Sequence, residues 1–220
     1  MLMRLRISLP DRPGALGEVT RALGAAGADI TQVTVLDRGE GRAVDDFTVY
    51  WPDATPRERV TESLEALPGV RVEGVWATRE APGTFPELEM LRFLTTAGER
   101  ALATLIDSMP VLFSADWAAA GTETVPREVV HSSWRAPRDV PFPEVTPDRP
   151  MAETLPSGLH LITAPLPPLA LSLVLAREEG PDFHRIEVHR LTRILEIFLM
   201  LPSVERSAAR AFRDHSARQV

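Results

Sequence analysis

The 220-residue chain contains no cysteine, no lysine and no asparagine. Without cysteine there is no thiolate nucleophile, disulfide framework, zinc–thiolate site or iron–sulfur cluster. Without lysine there is no Schiff base, no anchor for pyridoxal phosphate and no phosphate-loop lysine. Lysine and asparagine share A-rich codons, so their joint absence marks a GC-rich genome rather than a chosen chemistry. All 24 basic residues are arginine, and 31 acidic residues bring the net charge to −7. With a pI near 5.3, the chain lacks the clustered positive charge of a nucleic-acid footprint. No apolar run approaches the roughly 18 residues of a membrane span. Met1-Leu2-Met3-Arg4-Leu5-Arg6 enters an alternating strand pattern without the apolar stretch of a signal peptide. A cytoplasmic protein that touches neither nucleic acid nor membrane is expected.

Residues 1–78 hold a regular succession of patterns. Leu5, Ile7 and Leu9 alternate with Arg4, Arg6 and Ser8, as in a strand with one face in water. Asp11-Arg12-Pro13-Gly14 is a turn that places Pro13 in the first turn of a helix. Leu16, Val19, Ala22, Leu23 and Ala26 recur on one helical face up to Gly27. Ile30, Val33 and Val35 give a second strand, Asp37 to Gly41 a polar hairpin, and Val44 with Phe47 to Trp51 a third strand. Thr55-Pro56-Arg57-Glu58 reads as a capping box with proline at the first helical position. The helix it opens buries Val60, Leu64 and Leu67 and stops at Pro68-Gly69, and Val70, Val72, Val75 and Trp76 complete a fourth strand. The order βαββαβ is that of a ferredoxin-like sandwich.

On this plan, Asp11-Arg12-Pro13-Gly14-Ala15-Leu16 and Gly27-Ala28-Asp29-Ile30 resemble the signature of the ACT domain, a regulatory module that usually binds amino acids. The resemblance spans residues 3 to 78. It implies a ligand site formed by Arg12, Gly14, Ala15 and Leu16 of one chain and Asp29, Ile30 and Gln32 of a facing chain. Many members carry asparagine where this chain has Asp29, so the site gains a negative charge suited to a ligand ammonium. Backbone N–H groups at a helix N-terminus attract a carboxylate, and Gly14 lets a ligand approach the backbone. A bulky β-branched residue at position 14 is expected to block that approach while sparing the fold.

Residues 79–87, with Pro82, Gly83 and Pro86, read as a linker, and 88–201 as a second domain. Leu88, Leu91, Leu94, Gly98, Leu102 and Leu105 form one stripe of a long helix that Pro110 ends. Val111-Leu112-Phe113 with Trp117, Glu128 to Trp134, Leu159 to Ile162 and Leu169 to Ala176 read as strands, with Trp117 and Trp134 in the core. Six prolines between Arg135 and Gly158 speak against a regular element there. A last helix starts near Pro181-Asp182-Phe183 and buries Val188, Leu191, Leu195 and Phe198, and 202–220 is a frayed tail. The entry helix, the run Leu169 to Leu175, Gly180-Pro181-Asp182-Phe183, Glu187 and the closing helix resemble a shortened GAF-like sensor domain. The fold class is therefore α+β: an ACT-type sandwich followed by a GAF-like α/β unit. The proline-rich segment stands where such domains close over a ligand. Trp117, Trp134, Phe113 and Leu171 are expected to fill any cavity, leaving no place for haem, bilin or a cyclic nucleotide.

Nothing else assembles an active site. His184 and His189 are five apart rather than at metal-binding spacing, and His131, His160 and His215 stand alone. Asp45-Asp46 point to opposite faces of a strand and read as its solvated start. No G-x-S-x-G elbow surrounds any serine. The expected function is non-enzymatic: binding of a small amino acid, without a cofactor, by a homodimer that passes the state to its GAF-like half or a downstream protein. The alternatives are a ligand-free dimerisation or adaptor protein and an enzyme acting in a C-terminal pocket.

Overall fold

The computed structural model describes residues 1–51, 56–78, 85–124, 126–202 and 204. Contacts divide the chain into one unit of Met1–Thr84 with Glu179–Pro181, and another of Phe85–Glu178 with Asp182–Val220. No helix among the described residues is long and apolar enough to cross a membrane.

The N-terminal unit runs β1 (Leu2–Pro10), α1 (Ala15–Ala25), β2 (Asp29–Gly39), β3 (Arg42–Tyr50), α2 (Arg57–Glu65) and β4 (Arg71–Ala77). The expected βαββαβ order is present, in a 4-stranded antiparallel sheet ordered β2-β3-β1-β4. Met3, Leu5, Ile7, Phe47 and Val49 form its core with Val19 and Leu23 of α1 and Val60 and Leu64 of α2. The hairpin between β2 and β3 is tighter than the sequence reading. Both strands run up to Glu40-Gly41, whose φ values of 54° and 76° give the two-residue turn that matches strand twist. Pro56 is the N-cap of α2 rather than its first helical residue, so no proline-led capping box forms; Thr55 lies outside the described residues.

The polar alternation of β1 does not face water. Arg4, Arg6 and Ser8 are buried, as are Asp45, Asp46 and Thr48 of β3. Arg6 holds Asp46 through two bonds, Nε to Oδ1 at 2.8 Å and Nη2 to Oδ2 at 3.0 Å, and lies 5.6 Å from the centre of the Trp76 ring. On this polar face the charges of Arg6 and Asp46 are balanced by a fork-like ion pair instead of by solvent. β2, at the sheet edge, leaves Val33 and Val35 exposed, and Leu16 at the start of α1 is exposed too, against its expected place in the core.

The second unit contains α3 (Pro86–Thr96), α4 (Ala101–Leu112), β5 (Trp117–Thr122), β6 (Val129–Ser132), β7 (Met151–Thr154), β8 (His160–Leu166), β9 (Leu171–Arg177) and α5 (Arg185–Leu199). Its 5-stranded sheet has the order β6-β5-β9-β8-β7. The long entry helix is broken. Gly98 takes φ +57°, a left-handed conformation that no α-helix continues through, and Met90 rather than Leu88 is buried. Pro110 sits inside α4 instead of ending it, so Val111 and Leu112 are helical and the strand begins only at Trp117. In the proline-rich stretch, Met151–Thr154 lies between Pro150 and Pro156 and forms an edge strand, which corrects the expectation of no regular element.

The rest of that stretch covers the sheet. Trp117, Ala119, Leu161, Val174 and Ala176 pack on that face with Ala136, Val140 and Phe142. α3, α4 and α5 pack on the other around Leu105, Met109, Leu173 and Phe198. Trp117 and Phe113 are buried, but Trp134 is 97% exposed and fills no cavity. The chain turns at Ser133, whose N–H donates to Ala118 O at 2.8 Å, and the ring projects from that turn.

Glu187 ties two features together. Its carboxylate accepts from Arg177 Nη2 at 2.7 Å and from the His184 N–H at 2.8 Å, which closes a capping box at the start of α5. His184 is therefore the helix cap and not a bystander on the surface. Glu187→Ala strands a buried arginine and should cost about 3–5 kcal/mol in urea unfolding. Glu187→Gln, which keeps the cap acceptor, should cost less.

Candidate functional site

The turn before α1 is built by its backbone. Asp11 N–H donates to Gly41 O at 2.9 Å, Arg12 N–H to Pro10 O at 2.9 Å, and Ala15 N–H to Arg12 O at 3.3 Å. Gly14 is the N-cap, at φ +90°, and supplies no side chain to the helix end. The amides of Leu16 and Gly17 belong to the first turn, where no helical carbonyl precedes them. The positive end of the helix dipole thus opens onto a cavity of about 370 Å³ lined by residues 9–16, Val35 and Arg38 of β2, and Ala43 and Asp45 of β3. That volume falls in the range of small-molecule sites, about 300–1,000 Å³.

Charge around the cavity is unevenly paired. Arg12 Nη2 donates to both Glu18 oxygens at 2.9 and 3.0 Å. Arg38 Nε donates to Asp11 Oδ1 at 3.1 Å. Asp45 is only 3% exposed, and its Oδ1 has no hydrogen-bond partner among the described residues. Burial raises the Asp45 carboxyl above its ordinary range and neighbouring Asp46 adds to the rise, while Arg38 opposes it. The reading of Asp45-Asp46 as a solvated strand start is corrected. The two do leave β3 on opposite faces, but both side chains are buried.

Of the residues anticipated as a site, Arg12, Gly14, Ala15 and Leu16 meet at this cavity. Asp29, Ile30 and Gln32 sit at the other end of β2, opposite Tyr50, Val49 and Thr48. Arg38, Val35 and Asp45 are cavity residues that the sequence reading missed. A signal existed for Asp45: the alternation Ala43, Asp45, Phe47, Val49 places it on the core-facing side of its strand. A β-branched residue at position 14 cannot spare the fold as expected, since it would have to adopt φ +90°.

In the second unit, His131 Nε2 lies 2.9 Å from Asp107 Oδ1, and His160 Nδ1 lies 2.9 Å from Thr154 Oγ1. His215 lies outside the described residues. No cluster of three or more histidine or acidic side chains able to hold a metal exists among the described residues. A depression of about 460 Å³ is lined by Arg127, Glu123, Glu144 and Asp148 among others. Arg127 there is already bonded to Ser172 Oγ and Thr146 Oγ1.

Comparison with protein families settles the N-terminal unit. Residues 3–69 match the ACT domain. The ACT domain of this chain therefore contains the turn, α1 and the cavity. No curated protein matches the sequence. Among solved structures, a formyltetrahydrofolate deformylase from Pseudomonas putida KT2440 is 23% identical over 44% of this chain, with a TM-score of 0.30. The chain spans 39% of that protein's length. The GAF domain of a phosphoenolpyruvate-protein phosphotransferase from Acinetobacter is 11% identical, covering 59% of this chain and 96% of that one, at a TM-score of 0.42. The regulatory subunit of aspartate kinase from Thermus thermophilus is 12% identical, covering 89% and 93%, at 0.27.

Because the folded Asp45 favours its protonated form, it adds stability that is complete below its ordinary pKa of 3.8 and is lost as pH rises through the raised value. Asp45→Asn should therefore raise the Tm of the unliganded protein at neutral pH. The gain should vanish below pH 3.8. Melting curves of both proteins across pH measure this directly.

Proposed function

We propose that the chain is a non-enzymatic regulator whose ACT domain binds a small amino acid in a homodimer. The observation that carries this reading is the cavity that joins the α1 amides to β2. The amides hold the ligand carboxylate, a contact worth about 0.3–1 kcal/mol from the helix dipole when exposed.

β2 is the outer strand of the sheet, with an open edge from Asp29 to Gly39 and exposed Val33 and Val35. Such an edge is a template for pairing. Two copies of β2 laid antiparallel about a two-fold axis near Thr34 bring Asp29, Ile30 and Gln32 of one chain to the cavity end of the other. Asp29 then accepts from the ligand ammonium. The residues Arg12, Gly14, Ala15, Leu16, Asp29, Ile30 and Gln32 thus form one composite site across the dimer. We place the ACT module at 1–78, a linker at 79–87 and a GAF-like unit at 88–201 that receives the ligand state or hands it to a partner protein. The packed layers on both faces of the second sheet support a transmitting role for that unit rather than a second ligand site.

A thermal-shift screen of the twenty amino acids tests the reading. One of them at a hundred times its Kd should stabilise the folded state by about 2.7 kcal/mol. Asp29→Ala should weaken the shift. Leu16→Glu, at an exposed position, should abolish it while changing unliganded stability by no more than about 0.5 kcal/mol. Sedimentation should show a dimer at tens of micromolar. A dimer whose melting no amino acid moves would mean that the pairing is structural and the protein an adaptor.

A further inference from the structure

Asp45 poses a question that the carboxylate site at α1 does not answer. Its side chain is buried, its Oδ1 has no hydrogen-bond partner among the described residues, and it lines the same cavity as the helix N-terminus. The two protein cations on that cavity are engaged elsewhere, Arg38 with Asp11 and Arg12 with Glu18. Asp46 next to it is no help, being an acid itself and committed to Arg6 on the other face of the sheet. A carboxylate out of water without a partner carries a heavy desolvation penalty. A ligand bearing only an anion leaves that penalty in place and adds repulsion. An apolar ligand side chain leaves it in place too, and a neutral donor answers the oxygen without balancing its charge.

A ligand with a second positive charge removes it. Leu9, Val35 and Ala43 line the cavity together with Asp45 and supply aliphatic surface for a methylene stem. The buried acid offers the charge-assisted hydrogen bonds that a terminal guanidinium or ammonium needs.

We infer that Asp45 is a specificity-determining residue and that the ligand of the ACT domain is a basic amino acid, with its side-chain cation on Asp45 and its carboxylate on the α1 amides. This rests on the amino-acid reading of the site, with a long basic side chain in place of a small one and the α-ammonium on Asp29 of the facing copy.

Calorimetric titration of the full chain with L-arginine and L-lysine, against their neutral counterparts L-citrulline and L-norleucine, tests the assignment. At least one basic amino acid should bind roughly ten- to a hundredfold more tightly than its neutral counterpart, as expected for a hydrogen bond to a charged group. Asp45→Asn, nearly isosteric, and Asp45→Ser should each bring the pair to within about twofold while melting cooperatively. Equal affinity for basic and neutral amino acids, or a preference that survives both substitutions, overturns this inference and leaves the amino-acid reading standing. If no amino acid binds at all, both fall.

Discussion

Side chains alternate across a strand, so the consecutive acids Asp45 and Asp46 must leave β3 on opposite faces. Each face of this sheet is buried at that point, and neither acid can keep its water. Asp46 meets the Arg6 fork and becomes part of the fold. Asp45 meets the end of the cavity, where the cations among the described lining residues, Arg12 and Arg38, already hold other carboxylates. One becomes structural and the other stays open to an incoming partner. The difference comes from register, since Arg6 lies opposite Asp46 whereas apolar Ile7 lies opposite Asp45.

The same register explains what was and was not legible in the sequence. Apolar spacing in Leu5-Ile7-Leu9, in Val19 and Leu23, and in Val60 and Leu64 is local, and it located the N-terminal elements and their order. Burial of the intervening polar residues is not local. Arg4 and Arg6 look like the wet side of a half-buried strand, and only strand pairing brings Asp46 opposite Arg6. The cavity was half legible for that reason: the turn at 11–16 has a local signature, whereas Arg38 and Asp45 reach it only through strand pairing. Leu16 shows the converse. Its helical spacing matches the core, yet Leu16 is left exposed while its neighbour Ala15 is buried.

Proline misled in the second unit for a physical reason too. A proline forbids its own N–H bond, not the structure of its neighbours. Pro110 falls in the last turn of α4, where one lost bond is tolerated, and Pro150 and Pro156 frame β7 instead of interrupting it. Between them and Trp134 the irregular chain lies on the sheet as a covering layer. Gly121 shows how close that layer is, since a β-carbon there would stand 2.6 Å from the Phe142 ring. Both faces of the second sheet are thus covered by packed side chains.

If β2 serves both the cavity and the dimer, the two equilibria are linked. Val35 and Arg38 line the cavity of their own chain, while residues 29–32 of the same strand serve the other copy. A ligand held by both chains binds the dimer better than the monomer, and by linkage it must tighten the dimer by the same factor. On the proposed reading Asp45 makes that coupling sensitive to charge, because a ligand cation meets a buried carboxylate that Arg38 relieves only through space. Through Asp45, the charge of such a ligand would bear on assembly as well as on affinity.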